Sequence, residues 1–131
     1  MRASLARGLA CLSLAVLGLS GCATPVNYTA KPLRFLPPDG GAAWIITGRL
    51  DQTDFDMVGD ETVTVWINDQ LAAVGGFQVH DGIADGTFTG AYRGAKISVH
   101  CTNMAPPAKG FLCDVGDGLV PAGTLAFTLP K

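Results

Sequence analysis

From Trp44 to the end of the chain, apolar and polar side chains alternate with a period of two. Successive side chains of a β-strand point to opposite faces, so this pattern predicts strands with one buried face. The residues that we assign to the buried faces are Trp44, Ile46, Gly48 and Leu50; Val63, Val65 and Ile67; Phe88, Gly90 and Tyr92; Ile97, Val99 and Cys101; Phe111, Cys113 and Val115; and Leu125, Phe127 and Leu129. Residues 71–79 form a further run of small residues interrupted by glycine, and no helical period occurs after residue 22.

Short turn-forming sequences separate these runs. They are Asn68-Asp69, Arg93-Gly94 and the Asp-Gly pairs at 81–82, 85–86 and 117–118. Asparagine, aspartate and glycine tolerate the backbone angles that tight turns require. Residues 44–131 are therefore predicted to form an all-β domain, a small antiparallel sandwich or barrel of about seven strands.

Residues 22–43 are rich in proline and glycine. Proline interrupts helices and central strands, so the segment is predicted to be an extended tether. Its apolar side chains Leu33, Phe35 and Leu36 can pack on the domain, so the second half of the tether need not be free.

The first 21 residues have the layout of a secretory signal peptide. Arg2 and Arg7 give a cationic start without acids, and residues 8–19 are apolar or small. Twelve helical residues rise about 18 Å, which is short of the roughly 30 Å hydrocarbon core of a bilayer. The segment is therefore predicted to direct export and to be removed, rather than to span a membrane.

The signal segment ends in Leu19-Ser20-Gly21-Cys22, which resembles the lipobox of bacterial lipoproteins. The resemblance covers residues 1–22 and implies cleavage before Cys22 and attachment of diacylglyceryl to its sulfur, with palmitate-type acyl chains. Two or more chains anchor a protein stably, so the expected partner is the membrane itself. Because Ala23 and not aspartate follows the cysteine, the resemblance implies the outer membrane, with the domain in the periplasm. The alternative is an ordinary secretory signal with an unmodified cysteine.

The charge of the chain after residue 21 excludes some partners. Seven Lys and Arg face eleven Asp and Glu, a balance of −4, and the basic residues form no stripe. Nucleic-acid-binding proteins concentrate positive charge on one face, so we expect no nucleic-acid partner.

Two cysteines remain after export and lipidation, Cys101 and Cys113. Each lies on the apolar face of its predicted strand, and a hairpin centred on Pro107 would place them opposite each other. In an oxidising compartment the default is a disulfide, and closing a 13-residue loop is worth about 3 kcal/mol. A redox or metal-binding pair is the alternative, although the sequence has no Cys-x-x-Cys.

The sequence offers little support for catalysis. Ser98 is the only serine after the signal peptide, and it lacks the Gly-x-Ser-x-Gly motif. His80 and His100 are possible bases, but no pattern places a nucleophile beside them. We therefore expect no enzymatic activity and no cofactor.

Two features are candidates for binding. Asp54 and Asp56 lie in the acidic stretch 51–61, which matches part of a Ca²⁺-binding loop but lacks its closing acid, so a solvated loop is the simpler interpretation. Trp66 lies on the outward face of its predicted strand, and Tyr92 is a possible second aromatic of a binding surface. The interpretation that we favour, however, is that Trp66 packs between two sheets, because a sandwich core must be filled.

The sequence therefore leaves two hypotheses for function. The first is an anchored protein-interaction or structural module that contacts another envelope protein. It predicts an exposed apolar patch or an open edge strand. The second is a periplasmic module that binds glycan or a metal ion, which predicts a concave site lined by polar groups.

Overall fold

The computed structural model of the protein describes residues 26–55, 58–80 and 83–130. The predicted signal peptide, Cys22 and Asp56 lie outside these residues. Nine strands follow one another along the chain: β1 (Val26–Thr29), β2 (Leu33–Phe35), β3 (Trp44–Phe55), β4 (Val58–Ile67), β5 (Gln70–His80), β6 (Ile83–Tyr92), β7 (Ala95–Asn103), β8 (Gly110–Asp117) and β9 (Val120–Thr128). No helix occurs in the described part of the chain, so the all-β prediction is confirmed.

The strands form two antiparallel sheets, one of five strands and one of four. Strands β3 to β9 pair in chain order, while β1 and β2 both pair with β3. The chain passes from the first sheet to the second between β5 and β6, which share only the residue pairs Val79–Ala84 and His80–Ile83. Strand β9 contacts β2 and β3, but the sheets do not close into a barrel. Of the two predicted architectures, the structure is thus the sandwich.

The core lies between the two sheets and is built from the predicted inward positions. Leu50, Val63, Val65, Ile97 and Val99 are fully buried, with an exposed fraction of 0%. Burial of one such aliphatic side chain contributes about 1.5–3 kcal/mol, so the period-two pattern accounts for the main stabilising term. The predicted turns at 68–69 and 93–94 join strands, whereas Asp85-Gly86 lies within β6 and pairs with β7.

Inward-facing glycines let the two sheets approach closely. A Cβ atom at Gly48 would lie 2.7 Å from Leu125 Cδ1. A Cβ atom at Gly75 would meet the ring of Phe88, and one at Gly90 would meet the backbone carbonyl of Ala72. The glycines that interrupt the alternating runs therefore make room for large side chains or backbone of the opposite sheet.

The proline-rich segment that we interpreted as a tether contributes two strands. Residues Val26–Thr29 pair with β3 at Arg49 to Gln52, and Leu33–Phe35 pair with β3 at Trp44 to Ile46. The described prolines of the segment, Pro32, Pro37 and Pro38, fall outside these short strands, at positions where no ladder hydrogen bond needs a proline N–H. Leu33 and Phe35 pack against the core, as the sequence allowed, whereas Leu36 is 64% exposed.

The sandwich has two ends, which we name by their position relative to β1. The proximal end holds the start of β1, since Val26 pairs with Gln52 near the end of β3. The loop of residues 104–109 and the end of β9 lie at the same end. The distal end holds the turns at 68–69, 93–94 and 118–119. Val26, the first residue that the structure describes, therefore lies toward the proximal end.

Candidate functional site

Apolar side chains lie exposed on the outer surface of the five-stranded sheet. Trp66 is the centre of this surface, since it pairs with Thr47 of β3 on one side and Leu71 of β5 on the other. Its neighbours Val65 and Ile67 are fully buried, so the strand alternation directs the indole outward. Leu71 is 60% exposed, Val74 is 50% exposed and Ile45 is 42% exposed. We call the outer surface formed by Ile45, Trp66, Leu71 and Val74 the Trp66 face.

Arg49 holds the Trp66 side chain from the neighbouring strand. The Arg49 guanidinium carbon lies 5.4 Å from the centre of the Trp66 ring, and Arg49 Nε donates a hydrogen bond to Asp51 Oδ2 over 3.1 Å. A cation over an exposed indole contributes about 0.5–1 kcal/mol, and the carboxylate orients the guanidinium. The indole is thus partly buried and in contact with Arg49.

Trp66 does not pack between the sheets, because the core cluster contains Val63, Val65 and Ile67 of its strand and excludes Trp66. The interpretation that we favoured from the sequence, a Trp66 side chain packed between the sheets, is therefore wrong, and the indole lies on the outer face of its strand.

The Tyr92 side chain is buried rather than exposed. The expectation that it forms part of a binding surface is therefore wrong. It is only 3% exposed, and its ring packs edge-on against Trp44 at 5.2 Å between centroids. Asn68 Nδ2 donates a hydrogen bond of 3.0 Å to its hydroxyl. Position 92 is the end of β6, and period two correctly assigned its side chain to the inner face.

The acidic candidates remain outside the described side chains. Asp54 pairs through its backbone with Gly59 in the β3–β4 hairpin, and Asp56 falls between the described ranges. No group of three His, Cys, Asp or Glu side chains that could hold a metal ion occurs among the residues that the structure describes.

A second surface feature lies on the outer face of the four-stranded sheet. Residues Thr87, His100, Asp114 and Thr124 pair side by side across β6, β7, β8 and β9, and they line an open groove of about 530 Å³. Asp85 Oδ1 lies 2.7 Å from His100 Nε2, and Thr124 Oγ1 donates a hydrogen bond of 2.6 Å to Asp114. Leu119 and Pro121 border the groove at its distal end. We call this feature the polar groove.

Ser98 lines the polar groove beside His100, on the same face of β7. Among the described residues no hydrogen bond joins the Ser98 hydroxyl to His100, whose Nε2 atom is engaged by Asp85. An activated serine needs its base within hydrogen-bonding distance, so His100 does not activate Ser98 in this structure.

Cys101 and Cys113 are directly opposite each other in the β7–β8 ladder. Their sulfur atoms lie 2.14 Å apart, as in a disulfide, and both residues are fully buried. The predicted pairing is therefore the one seen, and it fixes the register of the hairpin that carries His100 and Asp114.

Sequence reasoning missed the polar groove, although it placed His100 on the polar face of β7. The signal was the shared outward position of Thr87, Asp114 and Thr124, but only the strand register shows that these residues are neighbours. Turn composition alone does not fix that register across four strands.

Comparison with known protein families, with curated protein sequences and with solved structures found no match. No helix long and apolar enough to cross a membrane occurs in the described part of the chain.

Proposed function

We propose that the protein is an envelope lipoprotein that is held to the membrane by lipid on Cys22 and binds another envelope protein through the Trp66 face. The signal segment and Leu19-Ser20-Gly21-Cys22 support the anchor, and Ala23 supports the outer membrane with the domain in the periplasm. The domain acts there as an interaction module rather than as a catalyst.

The observation that carries this proposal is the grouping of exposed apolar side chains on one sheet face. Single exposed apolar residues are normal, but a contiguous patch on a soluble domain marks an interaction surface. Leu71 and Val74 border the central strand that carries Trp66. Tryptophan and arginine are the residues that most often dominate the binding energy of protein interfaces, and Trp66 and Arg49 are already in contact.

The composition of the Trp66 face favours a protein over a glycan. A sugar ring stacks on a bare aromatic face, whereas the guanidinium of Arg49 lies over the Trp66 ring. Leu71, Val74 and Ile45 offer no hydrogen-bonding side chains for hydroxyl groups. The expected partner therefore presents apolar side chains, with a carboxylate near Arg49.

The anchor is tested by the variant Cys22→Ala. We expect the wild-type protein to sediment with outer membranes and its N-terminal peptide to carry the added mass of the acyl chains. The variant should keep its signal peptide and lack those chains. An unmodified Cys22 in protein isolated from membranes would contradict the anchor.

The interaction surface is tested by comparing Leu71→Asp with Leu119→Asp. Both residues are exposed leucines, but Leu71 belongs to the Trp66 face and Leu119 lies in the distal turn beside the polar groove. Purification from solubilised envelopes should recover one protein in constant ratio with the wild type and with Leu119→Asp. Leu71→Asp should lose it, and equal recovery with both variants would contradict the proposal.

The polar groove supports an alternative, a binding site for glycan. His100, Asp114 and Thr124 form a row of donors and acceptors on one open surface, which suits the hydroxyl groups of a sugar chain. Calorimetric titration with peptidoglycan fragments tests this alternative. Heat that is lost in His100→Ala would favour it, and no heat with the wild type would exclude it for those fragments.

A further inference from the structure

We propose that the proximal end of the sandwich rests on the bilayer to which Cys22 is attached, and that the apolar cavity at this end receives acyl chains of the bilayer lipids. This inference rests on the proposed lipidation of Cys22. It adds a second contact with the membrane and a fixed orientation of the domain.

The chain between the lipidated cysteine and the sandwich is short. Cys22 stands four positions before Val26, the first residue of β1. A fully extended chain spans at most about 3.3–3.6 Å per residue, so the Cα atoms of the two residues are separated by no more than about 14 Å. Val26 therefore stays close to the lipid surface.

The strands of the sandwich are longer than the chain that joins it to Cys22. Val26 pairs with Gln52, and β3 runs from there to its distal end at Trp44. Eight residue steps at about 3.3 Å place that end about 26 Å from Val26. Because this distance exceeds the reach of the linker, the distal end cannot turn to the membrane. The remaining possibilities are contact through the proximal end or through one side of the sandwich.

The proximal end contains a cavity with a volume of about 570 Å³. Its wall is mostly apolar and includes Val79 of β5, Phe111 of β8 and Leu129 just beyond β9. Met104 and Pro106 of the loop between β7 and β8 complete it. An apolar cavity of this size suits a hydrocarbon ligand, and each methylene that is buried there contributes about 0.8 kcal/mol.

The charged side chains at the proximal end indicate whether electrostatic attraction or apolar burial holds this end to the bilayer. Lys109 lines the cavity and is the only Lys or Arg among the described residues at this end of the sandwich. One cation contributes only about 1 kcal/mol on an anionic membrane, so apolar burial must supply most of the contact. The contact should form equally well on vesicles of zwitterionic lipid.

In this orientation the strands run roughly perpendicular to the membrane surface. The Trp66 face and the polar groove are then both accessible from the periplasm. The distal turns at 68–69, 93–94 and 118–119 point away from the bilayer. A partner can then approach the Trp66 face without displacing lipid.

The experiment uses the lipidated protein, cleaved before Cys22, reconstituted into phosphatidylcholine vesicles with or without bromine on the acyl chains. Bromine quenches tryptophan emission only at short range. The variant Ala108→Trp places a probe at the cavity rim, and the matched control Leu119→Trp places one at the distal end. Both positions are exposed, so the fold tolerates the ring. Of the two native tryptophans, Trp44 is buried in the core near the distal end, and Trp66 reports on the side of the sandwich.

We expect brominated lipid to reduce the emission added by Ala108→Trp at least twofold and to leave that added by Leu119→Trp unchanged, with the native emission little affected. Equal emission of Ala108→Trp in both lipids would overturn the inference, as would strong quenching of Trp66 in the wild type, which would show a domain lying on its side. Mass spectrometry of the N-terminal peptide is read first. An acylated Cys22 with no quenching at position 108 refutes only the orientation, whereas an unmodified Cys22 refutes the anchor itself.

Discussion

The packing of Gly90 leads to a prediction whose sign is opposite to that for a glycine in an open strand. In an open strand, glycine to alanine stabilises a protein by about 0.4–1 kcal/mol, because alanine restricts the unfolded chain. In the structure, a Cβ atom at Gly90 would collide with the carbonyl oxygen and carbon of Ala72 and with the Cα atom of Ala73. These atoms belong to the backbone of β5, in the opposite sheet.

The loss in the free energy of unfolding of Gly90→Ala depends on which atoms must move to relieve the clash. A clash with the end of a side chain is relieved by rotation, but a clash with backbone is relieved only if β5 and β6 separate. Overpacking of a core costs typically about 1–3 kcal/mol, and the backbone contact places Gly90→Ala at the upper end. With a urea m value of about 1–3 kcal/mol per molar, a loss of about 3 kcal/mol lowers the unfolding midpoint by roughly 1–3 M.

The assay is urea unfolding followed by tryptophan fluorescence, with Gly76→Ala as the matched control. Gly76 lies on the exposed side of β5, and its added Cβ would approach only the Glu61 carbonyl oxygen, at 3.3 Å. We expect Gly76→Ala to change the free energy of unfolding by less than about 1 kcal/mol. If Gly90→Ala is as stable as the wild type, the close contact between β5 and β6 is wrong.

Three further predictions concern single contacts. Replacing both Cys101 and Cys113 by alanine should cost about 3 kcal/mol or more in the same assay, because loop closure and packing are both lost; unchanged stability would contradict the buried disulfide. Asn68→Ala should cost about 1–3 kcal/mol, because Asn68 has a φ of 49° and hydrogen-bonds the Tyr92 hydroxyl and the Ile45 amide; Asn68→Gly, which keeps the backbone angle, should recover part of that loss. Trp66→Ala should cost less than the roughly 3–5 kcal/mol of a fully buried aromatic side chain, since the ring is only partly buried, and a loss in that range would assign Trp66 to the core.

The sequence was most informative where one face of a strand is buried and the other is solvated. Ile97, Val99 and Cys101 alternate in this way, and all three are fully buried. The same alternation placed Cys101 opposite Cys113 once a hairpin was assumed. A single-residue shift would expose this entire set, so the pattern specifies the register strongly.

Sequence reasoning underestimated the number of strands for an identifiable reason. Strands β1 and β2 are short, have no long alternating run and lie among prolines. They form because the edge of β3 offers partners, as in the hydrogen bond from Ala30 N to Gly48 O. Such strands depend on a long-range neighbour, which the local pattern does not contain.

The candidate site was only partly predictable. Strand alternation indicated an outward Trp66, but the exposure of Leu71 and Val74 beside it depends on the pairing of β4 with β5, which contains a bulge at Val65 and Trp66. Tyr92 shows the converse limit. Its aromatic ring suggested a binding role, whereas its inward position at the end of β6 places it against Trp44. Residue type alone therefore did not decide between surface and core.

The most direct test of the proposed interaction is site-specific photocrosslinking in living cells, with a photoreactive phenylalanine analogue at position 71 and, for comparison, at position 124 in the polar groove. The proposal predicts one crosslinked protein from position 71, the same in independent cultures, and a strong reduction of that product when Trp66→Ala is added. It predicts no such product from position 124. Crosslinking of the same protein with equal yield from both positions, or no protein crosslinked from position 71, would contradict the assignment of the Trp66 face as the binding surface.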